Sequence, residues 1–340
     1  MKGKKGKLKK STFKGENAPS TTGRGYDDIE ISVVLPIFEE EETIKSLIPS
    51  IIHVLSEQGF TFEVIAVDDG SKDNSLRVLR DLKQTHPDTL RVVQHLHNKG
   101  NGTSLRTGIR VARGVIVVTM DADAQHDPED ILNFLAEIPP YDLVIGARTE
   151  SYKGSWSRGV ANRFYNWFAS WLSRTEVKDL TSGFRAMRRD AVLHFLPLFP
   201  NGFSAPTTTT LAFLKAGYNV TFLPIHVDKR AAGKSKISLW GDGTQFIMII
   251  LRIIMLYDPL RIFFPSGIVL GLLGVLAGIA GILNAHRLVI SNSAILLFLA
   301  AILTWLLGLI ASQVASTLIQ YHGDETIIVD DSPTDLNRSA

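Results

Sequence analysis

Two uncharged stretches late in the chain, 262–283 and 293–319, restrict its architecture more than any other feature. Each reaches the roughly 20 apolar residues that a helix needs to cross a bilayer. Two buried core helices of a soluble protein are the alternative. Only the short segment 284–292 separates the stretches, so as helices they form an antiparallel hairpin. Lys229, Arg230, Lys234, Lys236, Arg252 and Arg261 precede the first crossing, whereas Arg287 stands alone at the tip. That asymmetry places both termini in the cytosol. Ahead of the hairpin, 246–256 is apolar except for Arg252 and is bounded by Gly241, Gly243 and Pro259. It reads as a helix lying in the interface, with a re-entrant or core helix as the other option.

The rest of the 340 residues, in a chain that is 45% hydrophobic, suffices for one soluble domain with its own core. A net charge of +2 argues against a globally basic nucleic-acid binder. Seven lysines fall within the first fourteen residues, a basic arm suited to anionic headgroups or simply to solvation. This arm runs into the polar segment 11–28 and not into an apolar core, so it does not have the pattern of a signal peptide. Cysteine is absent, which removes disulfides, thiolate nucleophiles and cysteine metal sites. The expected organisation is a basic tail over 1–28, a catalytic domain over 29–236, a juxtamembrane helix over 237–259, the hairpin over 260–320 and an acidic tail over 321–340.

Within 29–236, short apolar runs alternate with amphipathic segments, the pattern of an α/β fold with a mostly parallel sheet. Strands are expected at 31–35, 62–67, 91–94, 115–120 and 142–147, and helices at 43–55, 74–83 and 103–112. In open parallel sheets ligands bind beyond the carboxyl ends of the strands. Polar clusters stand at those ends: Pro36-Ile37-Phe38-Glu39-Glu40, Asp68-Asp69-Gly70-Ser71, Asn98-Lys99-Gly100-Asn101-Gly102 and Asp121-Ala122-Asp123-Ala124-Gln125-His126. An Asp-x-Asp triplet directly after a buried strand offers hard oxygens to a divalent cation, Mg2+ or Mn2+, that would bridge the phosphates of a nucleotide donor. Leu105 stands where a dinucleotide fingerprint needs its third glycine, and no Walker lysine motif occurs, so hydride transfer and P-loop hydrolysis lose support. The histidines show no ligand spacing, and His126 reads as a capping or supporting residue. The aromatic run 164–168 with Trp171 reads first as the packed face of a helix, and secondly as an interfacial patch.

In this order, the motifs resemble the inverting glycosyltransferases of family 2, and within it the polyprenyl-phosphate sugar synthases typified by dolichol-phosphate mannose synthase. The resemblance covers 31–236 and rests on Asp68-Asp69-Gly70-Ser71 with Asp73, Asn98 with Gly100 and Gly102, and Asp121-x-Asp123-x-Gln125-His126-x-Pro128-Glu129. It continues through Gly146-x-Arg148, Thr181-Ser182-Gly183-Phe184-Arg185, and Arg230 with Gly233-Lys234-Ser235-Lys236. The resemblance implies a GT-A type nucleotide-sugar-binding domain and an anchoring hairpin. It implies that Pro36, Phe38, Glu40 and Asp69 hold the base and Asp68 the ribose, with Gly100 also on the donor side. Asp121, Asp123 and Gln125 would sit at the metal and diphosphate. Arg148, Arg163, Ser182 and Arg185 look like the acceptor-phosphate pocket, where arginine supplies a planar fork. Arg230, Lys234 and Lys236 look like a segment closing over the donor phosphates. Phe38 and Glu39 replace the tyrosine and asparagine of the commoner Pro-x-Tyr-Asn-Glu start.

The implied activity is transfer of one hexose from a GDP-mannose or UDP-glucose type donor to undecaprenyl or dolichyl phosphate. The acceptor is already anionic, so the expected mechanism is a single inverting displacement that needs no dedicated base. Two rivals are a processive polysaccharide synthase and a non-catalytic nucleotide-sugar-binding scaffold. The first usually carries Gln-x-x-Arg-Trp and more crossings, and the second would lack the metal aspartates. Gly267, Gly271, Gly274, Gly278 and Gly281 form a small-residue stripe suited either to a homo-oligomer or to the contact inside one hairpin.

Overall fold

A computed structural model describes residues 29–148, 163, 166–167, 169–171, 175–201, 205–227, 248, 251, 255, 258–285 and 291–323. The chain divides into two compact units, Met1–Ile253 and Ile254–Ala340. In the first, strands and helices follow as β1 (Ile31–Ile37), α1 (Glu41–Gln58), β2 (Phe62–Asp68), α2 (Ser75–Thr85), β3 (Leu90–Gln94), α3 (Asn101–Val111) and β4 (Ile116–Thr119). After these come α4 (Asp130–Ala136), β5 (Leu143–Arg148), β6 (Arg185–Arg188), α5 (Arg189–Phe195), α6 (Ala205–Lys215) and β7 (Val220–Ile225).

Val33, Val34 and Leu35 in β1 and Val64 to Val67 in β2 are wholly buried, as strands covered on both faces must be. The sheet order is β3-β2-β1-β4-β6-β5-β7. Strands β1 to β4 are mutually parallel, β6 runs antiparallel to β4 and β5, and β7 is parallel to β5. All five expected strands and three expected helices form, with ends shifted by a few residues. Strand β6 is not among the strands expected from the sequence. Its Arg-Ala-Met-Arg stretch has no apolar run, and it is paired into the sheet from both sides.

The parallel order sends the carboxyl ends of β1 to β4 to one edge. At the opposite edge Glu63, near the start of β2, anchors the sheet. Its buried carboxylate accepts the Ser32 hydroxyl at 2.7 Å, the Arg113 amide at 2.7 Å, and the guanidiniums of Arg91 at 2.7 Å and Arg113 at 3.0 Å. Burial alone would raise the Glu63 pKa; the four donors outweigh it and hold the group below the ordinary carboxylate range.

The second unit holds α7 (Leu260–Ala285) and α8 (Asn292–Gly323). Both are long and apolar enough to cross a membrane, with mean hydropathies of 2.3 over Leu260–Leu283 and 2.7 over Asn292–Ala315. Leu276, Leu283 and Leu296 are more than 60% exposed, so these are not the core helices of a soluble domain. Most of the glycine stripe faces the other helix of the hairpin: a Cβ on Gly267 would lie 2.1 Å from Trp305 Nε1, and Gly274 and Gly281 face Phe298 and Ser291. The Trp305 indole donates to the Phe264 carbonyl at 3.1 Å across that seam. Four of the five stripe glycines thus face the other helix of the hairpin, while Gly271 opens on free space. The basic tail, Arg252, Arg287, residues 324–340 of the acidic tail and all of 246–256 except Met248, Leu251 and Met255 lie outside the described residues.

Candidate active site

Loops after β1, β2 and β3 are stitched together by the residues that the sequence marks as a motif. The β1–α1 turn is held from the β2–α2 turn: Glu39 N–H donates to Ser71 Oγ at 3.1 Å, Glu40 N–H to Ser75 Oγ at 3.0 Å and Glu41 N–H to Asp73 Oδ2 at 3.3 Å. Glu41 answers by accepting the Asn74 N–H at 2.7 Å. Glu39 adopts φ 58°, a left-handed conformation that suits the asparagine of the commoner motif better than glutamate. Gly70, at φ 70°, lies against the main chain of His97, where a Cβ would come within 2.7 Å. Only glycine allows that approach.

Asp68 and Asp69 part company here. The side chain of Asp69 is 4% exposed and accepts three donors: His95 Nδ1 at 2.7 Å, Lys99 N–H at 2.9 Å and Gly100 N–H at 2.8 Å. These three donors make Asp69 a clamp on the 98–100 loop. Asp68 is fully buried, accepts the Ser71 N–H at 3.3 Å, and leaves Oδ2 with no partner among the described residues. A buried acceptor without a donor is costly, and this one lies at the strand edge where a ligand's hydroxyl or N–H can complete it. Pro36, Phe38 and Glu40 border the same edge half-buried, as does Gly100 at φ 93°.

The Asp-x-Asp turn follows β4. Asp121 and Asp123 are half-buried around the enclosed Ala122, and the Gln125 N–H donates to Asp123 Oδ1 at 3.3 Å. Gly183 fits directly behind Asp121: a Cβ there would meet its Oδ2 at 2.5 Å. Glycine in the Thr-Ser-Gly-Phe-Arg motif thus lets that segment's main chain lie against Asp121. His126 packs at a tilt of 37° against Phe184 with ring centroids 5.0 Å apart, and its Nδ1 is enclosed with no partner among the described residues. Burial pulls its pKa down to about 4, so the ring is neutral at neutral pH.

Two of the cations expected on the acceptor side, Arg148 and Arg185, have internal partners. Arg148, at the end of β5, donates through Nε at 2.8 Å and Nη2 at 3.0 Å to the two oxygens of Asp179, and through Nη2 to Thr181 Oγ1 at 2.5 Å. Burial alone would raise the Asp179 pKa, but the Arg148 guanidinium and the amides of Arg148 and Thr181 bring it below the ordinary range. Arg185 is 2% exposed and turns inward, donating to the carbonyls of Ser182 and Pro206 and to Thr210 Oγ1. Enclosure lowers its pKa to about 10, while Asp179 and Asp121 attract its charge. In this structure Arg185 is a strut between the 182–185 turn and the start of α6. Arg163 is exposed, and Ser182 is buried with its hydroxyl unpartnered among the described residues.

The sequence reading missed Asp179, His95 and Thr107, whose hydroxyl contacts His95 Nε2 at 3.0 Å. Asp179 stands close to the recognised motif in the chain, but a lone aspartate in a loop gives no sign of the arginine it will meet. Trp167 and Trp171 are 61% and 47% exposed, which overturns a packed face for those two rings. Phe164, Tyr165, Phe168, Arg230, Lys234 and Lys236 lie outside the described residues.

Comparison with known proteins agrees with this fold. The family described as Glycosyl transferase family 2 matches residues 32–195, and the family described as GtrB C-terminal hairpin matches 258–317. Among curated proteins, the chain is similar to the undecaprenyl-phosphate 4-deoxy-4-formamido-L-arabinose transferase of Pseudomonas fluorescens (strain SBW25). They are 28% identical over 256 residues, 72% of this chain and 70% of the relative. The protein of that name from Proteus mirabilis (strain HI4320) is 30% identical over 187 residues, 52% of this chain and 57% of the relative, so this match spans just over half of it. Among solved structures, glucosyl-3-phosphoglycerate synthase of Mycobacterium tuberculosis with Mn2+, uridine diphosphate and phosphoglyceric acid superposes with TM-score 0.51 at 22% identity, covering 66% of this chain and 78% of that one. That likeness confirms a GT-A fold.

Proposed function

The chain is a glycosyltransferase with a family 2 catalytic domain, and we propose that it transfers one hexose from a nucleoside diphosphate sugar to a polyprenyl phosphate at the cytosolic face of a membrane. The observation that carries this reading is the union, in one sequence, of a family 2 domain and an apolar hairpin with outward-facing leucines. Relatives named for undecaprenyl phosphate support the acceptor class. The donor is of the GDP-mannose or UDP-glucose kind. Basic residues before the first crossing put both termini in the cytosol.

On the donor side, Asp68 Oδ2 receives a ribose hydroxyl, while Pro36, Phe38 and Glu40 border the base and Asp69 and Gly100 hold the wall beside it. The residues after β4 fit a divalent cation. Asp121, Asp123 and Gln125 offer only hard oxygens, and no group of three His, Cys, Asp or Glu gathers among the described residues. Such a sparse set suits Mg2+ or Mn2+, which complete their shells with phosphate and water. When bound, the cation offsets charge developing on the leaving diphosphate. Solved relatives of this fold hold Mn2+ or Mg2+ with uridine diphosphate.

On the acceptor side, Arg148, Arg163 and Ser182 receive the lipid phosphate, and Asp179 orients the Arg148 fork. Arg185 supports that pocket from within. A phosphate oxygen bonds to the anomeric carbon as the bond to the diphosphate oxygen breaks, which inverts the centre. The phosphate is anionic already, so no side chain has to remove a proton. Arg230, Lys234 and Lys236 close over the donor phosphates. The hairpin keeps the enzyme at the membrane, where the acceptor's phosphate lies at headgroup level.

The test is transfer of labelled sugar from a panel of guanosine and uridine diphosphate sugars to undecaprenyl or dolichyl phosphate, with detergent-purified protein and Mg2+ or Mn2+. The reading predicts a mild-acid-labile lipid product from one donor, abolished by a chelator. Product that persists in the chelator would remove the metal; nucleotide binding without any product would point to a non-catalytic scaffold.

A further inference from the structure

Asp69 is clamped from behind by a side chain that no motif includes. His95 is buried at 7% exposure just after β3, and its main-chain N–H donates to the Asp68 carbonyl at 2.8 Å. Its ring bridges Asp69 Oδ1 at 2.7 Å and Thr107 Oγ1 at 3.0 Å. Asp69 already accepts the Lys99 and Gly100 amides, so it acts as an acceptor and the His95 Nδ1 must be the donor. In the neutral ring, Nε2 then accepts the Thr107 hydroxyl proton, a tautomer assigned from the hydrogen-bond network. Three elements are tied in series: the β2–α2 turn, the loop after β3, and the body of α3.

We propose that His95 is a positioning residue for the donor nucleoside, acting through Asp69, with Thr107 fixing its ring. The inference rests on the nucleotide-sugar reading above. Asp68, adjacent to the clamped Asp69, carries the unpartnered Oδ2 at this edge. The nucleoside offers hydroxyl and N–H donors, and Asp68 meets them only if its main chain and the 97–100 loop stay in register. Both are set by His95, one through its backbone and one through its ring. Site geometry of this kind depends on such supporting contacts.

The experiment measures GDP and UDP binding with Mn2+ by calorimetry, and donor KM and kcat, on the full detergent-purified chain. His95→Ala removes a hydrogen bond to a carboxylate and should weaken nucleotide binding and raise donor KM about tenfold, with kcat at saturating donor kept within about twofold. His95→Asn places an amide N–H where Nδ1 stands and should recover most of the loss. His95→Gln reaches toward Thr107 instead and should resemble the alanine variant. Thr107→Val, which keeps shape and loses only the hydroxyl, should weaken binding about twofold to threefold. Equal impairment in His95→Asn and His95→Ala, or a fall in kcat with donor KM unchanged, would overturn the positioning role. Wild-type protein that binds neither nucleotide would overturn the nucleotide-sugar reading and this inference together, whereas normal binding by His95→Ala would overturn this inference alone.

Discussion

Strand β2 carries a buried carboxylate near each end, and the fold treats them in opposite ways. Glu63, at the amino end, is 1% exposed and receives two guanidiniums, a hydroxyl and an amide. Asp68, at the carboxyl end, is 0% exposed and receives one long amide bond, with Oδ2 unpartnered among the described residues. Burying a charge is tolerable when every lone pair is met and costly when it is not. The first arrangement stabilises the sheet. The second stores a deficit that a ligand can fill, the usual relation between stability and function at an active site.

The contrast can be broken most sharply at the Asp-x-Asp turn. Asp123→Ala should lower transfer about a thousandfold while the unfolding midpoint stays near that of wild type. A variant that unfolds as it loses activity would put Asp123 in the class of Glu63. At the other edge, Arg91→Ala with Arg113→Ala strands the Glu63 carboxylate. The expected loss in chemical denaturation is about 3–4 kcal/mol, discounted because both guanidiniums are about a third exposed. Nucleotide affinity of the remaining folded protein should be unchanged.

A pH series sharpens the comparison further. The His126 folded-state pKa, about 4, lies below its ordinary value of about 6.5. The neutral ring therefore contributes stability that is fully present above about pH 6.5 and is lost as pH falls toward the folded value, in total about 3 kcal/mol. His126→Phe, which can keep the ring contact with Phe184, should flatten the denaturation free energy over that window. Glu63 and Asp179, with lowered pKa values, lose their contributions only at more acid pH, below the ordinary carboxylate pKa of about 4. A slope near neutral pH that survives in His126→Phe would show that another group titrates. The smallest effect belongs to Glu39. Asparagine tolerates φ near +58° better, so Glu39→Asn should stabilise by about 0.5–1 kcal/mol and leave donor KM alone.

The parallel half of the sheet was legible as separate strands because each is a largely apolar run followed by a polar cluster, whereas the order of the strands in the sheet came only with the structure. Strand β6 was not, since Arg185 and Arg188 hide a strand that is made by its neighbours on both sides. Of the candidate site, the loops were legible as polar clusters and the partners of each residue were not. Asp68 and Asp69 are adjacent and chemically identical; partners 26 to 31 residues away decide that one clamps while the other waits. The same holds for Arg148 and Arg185, whose destinations depend on Asp179 and on the carbonyls of Ser182 and Pro206.

The most direct test of the contrast between the two ends of β2 is Asp68→Asn, followed by calorimetry with GDP and UDP in Mn2+ and by denaturation without ligand. If Asp68 Oδ2 is the open acceptor for the nucleoside, affinity falls at least about tenfold while unliganded stability holds or rises. Unchanged affinity, or a stability loss like that of the Glu63 cluster, would contradict the account.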